Sequence, residues 1–365
     1  MAALSPDATG MAGSRAKYAS MLLIDGHVDL AWNALTLGRD LTAPLAEIRA
    51  AEGVTPAHGE GTATVSLPAL RAAGVRVVCA TVYATPYGES PTRLAGYRTP
   101  EEAYAQGCAQ VAYYHELAAR GAVTVIRSRA ELEGVIAGAL PAPGLILLME
   151  GADPLRAPDD LAHYVAWGVR MVGLAWGATR YAGGTGAPGP LTDPGRALLA
   201  EMARLGVALD ISHLAEEACR EALDIFPGRV AASHANCRAL VPTDRQLSDA
   251  MIRALAAREG IIGLVLYNRF IRADWRDGDA KEAVSLADLL PHVAHISGLV
   301  GPRHLALGSD LDGGVGREVI PRELDSAADL PRVADLLAAA GYPPAAVAGI
   351  MGENWLRWLR EAFPS

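Results

Sequence analysis

The chain has 365 residues, of which 51% are hydrophobic, and a net charge of −9. That length and apolar content suit one large α/β domain or two smaller ones. The charge is spread without long runs of one sign, so there is no electrostatic footprint for nucleic acid or an anionic membrane.

Residues 1–20 are mostly small or polar and lack an apolar stretch of signal-peptide type. They read as a flexible N-terminal segment, followed by a single domain over 21–365. Eight short apolar, β-branched runs then appear: Leu22–His27, Val75–Thr81, Leu145–Glu150, Val169–Ala175, Val207–Ser212, Val230–His234, Ile261–Tyr267 and His304–Asp310. Near-continuous apolarity over five to seven residues suits parallel strands covered on both faces. Helical patterns lie between them, at Thr99–Arg120, Gly195–Leu205, Ala215–Ile225, Ser248–Glu259 and Leu286–Val300. The first opens with Thr-Pro-Glu-Glu, a capping signature. Gly74, Gly206 and Gly260 precede strands and read as left-handed helix caps.

Strand and helix alternating eight times predicts a (β/α)8 TIM barrel. A doubly wound sheet is the other candidate, but the glycine-rich phosphate loop it needs after an early strand is absent. Gly183-Gly-Thr-Gly-Ala-Pro-Gly189 comes too late for that and contains proline; it reads either as an active-site loop or as a plain surface connection. Leu30 to Gly74 forms a long first crossover, and Arg269 to Lys281 is a polar segment expected to be mobile. Cys79, Cys108, Cys219 and Cys237 stand far apart with no Cys-x-x-Cys pair, which favours reduced thiols. No run reaches the roughly 18 apolar residues of a membrane span, and the last residues, Arg360 to Ser365, are not a hydrophobic anchor signal. A cytoplasmic location is the resulting expectation.

Barrel enzymes gather catalytic side chains at the C-terminal ends of their strands. His27 and Asp29 share a strand face there, because side chains alternate. By itself His-x-Asp also fits a buried histidine with a hydrogen-bonded aspartate. Glu150, His213, His234 and Asp310, however, all sit at or just beyond the ends of other runs. The remaining histidines of the nine, at 58, 115, 163, 292, 295 and 304, lie elsewhere and read as structural. Three imidazoles with two or three carboxylates suit zinc. Five ligands exceed what one tetrahedral ion with an open position can use, so two ions sharing a bridge fit better. Neither Lys17 nor Lys281 lies on a core strand, which rules out a bridging carbamylated lysine and makes Glu150 the natural bridge.

Asp25-Gly-His-Val-Asp-Leu-Ala-Trp32, Glu150-Gly151, Leu209-Asp-Ile-Ser-His213, Ser233-His234, Gly308-Ser-Asp-Leu-Asp-Gly313 and Gly352-Glu-Asn354 occur in this order. Together they resemble the renal-type (membrane) dipeptidase family, zinc peptidases of the amidohydrolase superfamily. The resemblance runs from about residue 22 to 360. It implies one zinc on His27, Asp29 and Glu150 and a second on Glu150, His213 and His234. It implies hydrolysis of dipeptides, L,L and L,D alike, by a metal-bridged hydroxide, with Asp310 as proton shuttle and a homodimeric assembly. Arg245 falls where the family places an arginine that grips the substrate carboxylate, a task suited to the guanidinium fork. A surface salt bridge from Arg245 to Asp244 or Asp249 is the competing reading.

One departure stands out. Where the animal enzymes carry a histidine that helps polarise the scissile carbonyl, the segment Arg170 to Trp176 offers Trp176, whose indole donates one hydrogen bond but carries no proton charge. Either the metal or the neighbouring loop at Arg180 and Tyr181 must supply the missing polarisation. Asp312 shares strand parity with Asp310 and rivals it as the shuttle, although its turn context favours a loop-bonding role. Two other functions stay open: a related amidohydrolase acting on cyclic amides, lactams or N-acyl amino acids, and a binding protein that has lost catalysis. The intact ligand set argues against the second.

Overall fold

Each of the eight apolar runs contributes a strand to the computed structural model, which describes residues 21–53, 61–88, 96–314 and 316–363. The strands are β1 (Leu23–Val28), β2 (Val75–Val82), β3 (Thr124–Val125), β4 (Gly144–Met149), β5 (Val169–Gly173), β6 (Ala182–Gly184), β7 (Ala187–Leu191), β8 (Ala208–Asp210), β9 (Val230–Ala232), β10 (Ile261–Leu264) and β11 (Leu305–Leu307). Eight of them pair in parallel in the order β1-β2-β4-β5-β8-β9-β10-β11, and β11 returns to β1. This is a closed (β/α)8 barrel. The two-residue β3 adds to the outside of β4, and β6 with β7 forms an antiparallel hairpin; neither was expected from the sequence. The N-terminal segment 1–20, with Lys17, and His58 lie outside the described residues.

The long first crossover holds three short helices, Leu30–Leu37, Leu45–Glu52 and Leu67–Ala73. The Thr99 cap is complete: its hydroxyl accepts from Glu102 N and the Glu102 carboxylate reaches back to the Thr99 N–H. Gly74 and Gly206 are left-handed, with φ of 80° and 68°, as expected of helix C-caps. Gly260 is not. There Glu259 takes the positive φ of 53°, and Gly260 is needed for space, since a Cβ on it would lie 2.3 Å from Leu255 Cδ1. The Arg269–Lys281 segment also departs from expectation. It begins inside the helical turn Asn268–Ile271 and buries Trp275, whose indole N–H donates to Ala280 O at 3.2 Å.

Inward positions of the strands, among them Ile24, Val77, Ile146, Leu148, Met171 and Ile261, form their own apolar cluster with Trp355, Leu356, Trp358 and Leu359. These aromatic and leucine side chains come from the helix Asn354–Ala362. Trp355 Nε1 donates to Leu307 O at 2.8 Å and Trp358 Nε1 to Val230 O at 3.1 Å. The indoles of this helix thus reach in among the inward strand positions, beneath the strand ends. Gly352 and Asn354 belong to this docking: Asn354 Nδ2 donates to Pro302 O and Leu305 O, and a Cβ on Gly352 would meet Leu22 O at 2.5 Å. Among the described residues no helix is long and apolar enough to cross a membrane. All four cysteines are free thiols.

Candidate metal centre

The six candidates at the strand ends converge. His27 sits on β1 and Asp29 just beyond it, Glu150 follows β4, His213 lies three residues past β8, His234 two past β9 and Asp310 three past β11. His27 Nε2 lies 3.6 Å from Asp29 Oδ2, 3.4 Å from Glu150 Oε2 and 3.9 Å from Asp310 Oδ1. The other Glu150 oxygen, Oε1, lies 2.9 Å from His213 Nε2 and 3.5 Å from His234 Nε2. Ligand-type atoms of His27, Asp29 and Glu150 lie within 4.8 Å of one another, as do those of Glu150, His213 and His234. The two groups share only Glu150, which turns one oxygen to each.

The residues fit a metal on physical grounds. His27 Nε2 is fully buried yet has no hydrogen-bond partner, which is rare for a buried polar atom. His213 Nε2 and His234 Nε2 face each other at 3.1 Å, while both Nδ1 atoms have hydroxyl partners, Thr185 Oγ1 at 3.1 Å and Ser233 Oγ at 2.9 Å. Two imidazoles donating through Nδ1–H would aim lone pairs at each other, an arrangement a cation between them relieves. The protonation balance has the same character. Burial lowers the basicity of His213 to about 4, helped by the nearby Arg245 charge. Burial and the charges of His27 and Arg245 hold His234 well below the usual range. Burial opposes the charge on His27, but the Glu150 and Asp29 carboxylates outweigh it and raise its proton affinity. Glu150 is held low by His27 and His213 against its burial. Asp310 is held well above the ordinary carboxylate value by burial and by Asp29 and Glu150, despite His27.

Asp310 and Asp312 both adopt φ of 60°, a left-handed backbone that aspartate tolerates better than most residues. Their side chains part company. Asp310 lines the open cavity. Asp312 is buried and accepts from Thr64 N at 2.8 Å, Thr64 Oγ1 at 2.6 Å and Val65 N at 3.0 Å, with Arg39 Nη1 at 3.3 Å. Its bonds go to a distant segment and not, as its turn context suggested, to its own loop.

Arg245 is buried behind the histidines. Nη1 donates to Ser212 O at 2.8 Å and Nη2 to His234 O at 2.9 Å, while Nε has no partner. The salt bridge to Asp244 or Asp249 is not formed: Asp244 Oδ2 accepts from Gly186 N and Asp249 Oδ1 pairs with His295 Nε2. Trp176 lines the cavity and stacks on His213, ring centroids 5.6 Å apart at 29°. Tyr181 turns away, its hydroxyl donating to Leu155 O at 2.6 Å, and Arg180 Nη1 donates to Arg156 O. Neither is among the cavity's lining residues, so the loop does not supply a substitute for the family histidine through them. It supplies Thr185 instead, at the tip of the β6–β7 hairpin. Thr185 N is pinned to Trp176 O at 2.9 Å and its Oγ1 meets His213 Nδ1. The glycine-rich stretch is therefore part of the site.

The cavity above the cluster has a volume of about 250 Å³. Asp29, Glu150, His213, His234 and Asp310 form its polar part, and Trp32, Tyr83, Thr85, Trp176, Tyr267 and Phe270 line much of the rest. Sequence reasoning gave the aromatic wall, Trp176 apart, no role. Trp32 and Tyr267 carried the available signal, since each lies within or at the end of a stretch already singled out. Of the histidines read as structural, His292 and His304 are buried and satisfied, by Ile271 O at 3.0 Å and Gly260 O at 2.8 Å respectively.

Comparison with known proteins gives the same picture. The family model for membrane dipeptidase (peptidase family M19) matches residues 12–363. A Klebsiella pneumoniae protein described as uncharacterised, from the pqqA 5′ region, is 34% identical over 214 residues, 56% of this chain and 76% of its own. Dipeptidase aclJ of Aspergillus oryzae is 30% identical over 226 residues; these span 60% of this chain but only 52% of that one. A Rhodobacter sphaeroides metallopeptidase, solved with a phosphinate mimic of the dipeptide L-Ala-D-Ala, superposes with a TM-score of 0.78 at 26% identity, over 94% of this chain and 99% of that one. The metallopeptidase dipeptidase AC, of family M19, gives 0.79 at 26%, over 95% and 100%. A match of this extent, on a barrel whose strand ends assemble the expected ligands, makes the chain a member of the membrane dipeptidase family, peptidase family M19.

Proposed function

We propose that this chain is a dipeptidase that works with two zinc ions, one held by His27, Asp29 and Glu150 and the other by Glu150, His213 and His234. The observation that carries this reading is Glu150, whose two oxygens face His27 on one side and His213 and His234 on the other. Nitrogen and carboxylate donors of this kind suit zinc. When bound, such ions activate a water at neutral pH and polarise a carbonyl. The chain's own residues do the rest. Asp310, at the cavity edge 3.9 Å from His27 Nε2, takes a proton from the attacking water and returns it to the leaving amine. Trp176, with Tyr83 at 5.7 Å, walls the space for a substrate side chain. Arg245, the cation that family resemblance assigns to the substrate carboxylate, lies buried behind the histidines and not among the cavity's lining residues; its unpartnered Nε–H is the donor left for that task.

Dipeptides with an L- or a D-residue at the C-terminal position are the proposed substrates. The test is metal analysis of zinc-supplemented protein together with a turnover panel of L-Ala-L-Ala, L-Ala-D-Ala and N-acetyl-L-alanine. Two zinc ions per chain and turnover of the dipeptides are expected. Turnover of the N-acyl amino acid alone would replace the reading with the related amidohydrolase one, and one ion or none would remove the two-metal site. Size-exclusion chromatography at micromolar concentration tests the homodimer that family resemblance implies.

A further inference from the structure

Beneath the ligand cluster lies a buried polar group that the proposed chemistry does not use. Asp210, at the end of β8, accepts from Ser212 N at 3.1 Å, Ser212 Oγ at 2.7 Å and Ser233 N at 2.9 Å through Oδ1, and from Ser233 Oγ at 2.6 Å through Oδ2. Ser233 Oγ in turn lies 3.1 Å from His27 Nδ1 and 2.9 Å from His234 Nδ1. The two imidazoles stack over it, ring centroids 3.6 Å apart at 32°.

The hydrogen count is closed. Ser212 Oγ also lies 3.1 Å from Ser233 Oγ, but its own hydrogen goes to Asp210 Oδ1, the shorter contact at 2.7 Å, so it claims no lone pair of Ser233. A serine hydroxyl has one hydrogen and two lone pairs. Its hydrogen goes to Asp210 Oδ2, the shortest of its contacts and a carboxylate acceptor. Both lone pairs then face imidazole nitrogens, which must donate to them. His27 and His234 are therefore both Nδ1–H tautomers, and both present a bare Nε2 toward the ligand cluster. A ligating histidine needs this arrangement, and the partner of its other nitrogen enforces it.

We propose that Ser233, held by Asp210, is the shared positioning residue of the metal centre: one hydroxyl sets the tautomer and ring orientation of one histidine at each of the two metals. This rests on the two-metal reading above. It separates Ser233 from Thr185, whose hydroxyl meets His213 alone among the candidate ligands and so serves one metal. Losing Ser233 weakens both ions together, whereas losing Thr185 weakens one.

Asp210 gives a sharper test than truncation. In Asp210→Asn the amide oxygen must stay at the Oδ1 position, where two backbone N–H groups point. The amide NH2 then faces Ser233 Oγ. Ser233 Oγ then spends one lone pair on the amide and can accept from only one imidazole Nδ1–H, its own hydrogen turning to the other imidazole or to Ser212 Oγ, so one of the two histidines loses the partner that fixes its tautomer.

The experiment is competition for zinc between a chromophoric chelator and the full-length apoprotein, for wild type, Ser233→Ala, Asp210→Asn and Thr185→Val, with circular dichroism as the fold control. Tautomers are read from long-range ¹H–¹⁵N histidine spectra of the zinc-loaded wild type. Wild type should take two zinc ions, with His27 and His234 both Nδ1–H. Ser233→Ala should lose about tenfold or more in affinity at both steps, and Asp210→Asn and Thr185→Val at one step only. Failure of wild type to bind two ions would remove the two-metal reading. Two ions in wild type with undiminished affinity, or loss at one step alone, in folded Ser233→Ala would overturn the role of Ser233. An Nε2–H signal from His27 or His234 in wild type would overturn it without recourse to any variant.

Discussion

Asp310 and Arg245 are the residues whose proposed roles can be separated most cleanly by substitution. Asn in place of Asp310 keeps the shape and accepts the left-handed backbone at φ of 60°, but it cannot carry a proton. Asp310→Asn should bind zinc and dipeptide and turn over at least about a hundredfold more slowly. Single-turnover kinetics with metal content measured on the same sample checks this; normal turnover would move the shuttle elsewhere. Arg245 has two possible duties. Its Nη atoms hold the carbonyls of Ser212 and His234, so Arg245→Ala will loosen the backbone beside two ligands and slow every substrate. If Nε also meets the substrate carboxylate, kcat/KM should fall much further for free dipeptides than for dipeptide amides. Equal losses would leave Arg245 as a backbone clamp alone. At this scale the sequence was informative about what lies at strand ends and silent about what lies behind them. His27, Asp29, Glu150, His213, His234 and Asp310 were found because strand periodicity fixes where side chains point. Asp210 and Ser233 stood in quoted motifs without a role, because a role that runs through hydrogen bonds between β8, β9 and β1 has no spacing in the chain.

Among the elements, the eight barrel strands were legible and the β6–β7 hairpin was not. Buried parallel strands announce themselves by continuous apolarity. The hairpin is built from glycine, alanine and proline with one threonine and one leucine, and its order comes from contacts elsewhere: Thr185 N to Trp176 O, Gly186 N to Asp244 Oδ2 and Ala215 N to Gly183 O. The turn after β11 is a second case. Its composition suggested a self-contained loop, yet Asp312 reaches across to Thr64, Val65 and Arg39. That carboxylate ties the first crossover to the last strand's end. Asp312→Ala strands buried donors and should lower the free energy of unfolding by about 3 kcal/mol, read from urea denaturation. Asp312→Asn should lose far less turnover than Asp310→Asn. The reverse ranking would exchange the two assignments.

The whole barrel depends on the helix Asn354–Ala362, whose indoles pack against its inward strand positions. Trp355 is fully buried, and a Cβ on Gly26 would lie 2.5 Å from its ring and 2.7 Å from Ser233 O. Only glycine lets β1 sit this close, one residue before His27. Trp355→Ala should cost about 3–5 kcal/mol in stability. It should also weaken zinc binding, because Gly26, next to His27, packs against the indole. Chemical denaturation with parallel zinc titration checks both; lost stability with unchanged zinc affinity would confine Trp355 to the core. The same packing has a consequence in time. The helix lies after all eight barrel strands in the chain and is made last among them. A chain emerging from the ribosome therefore has its five candidate ligands before it has the floor beneath them. On the two-zinc reading, an ion captured early would meet an unsettled site, and full-strength binding would await the arrival of Trp355.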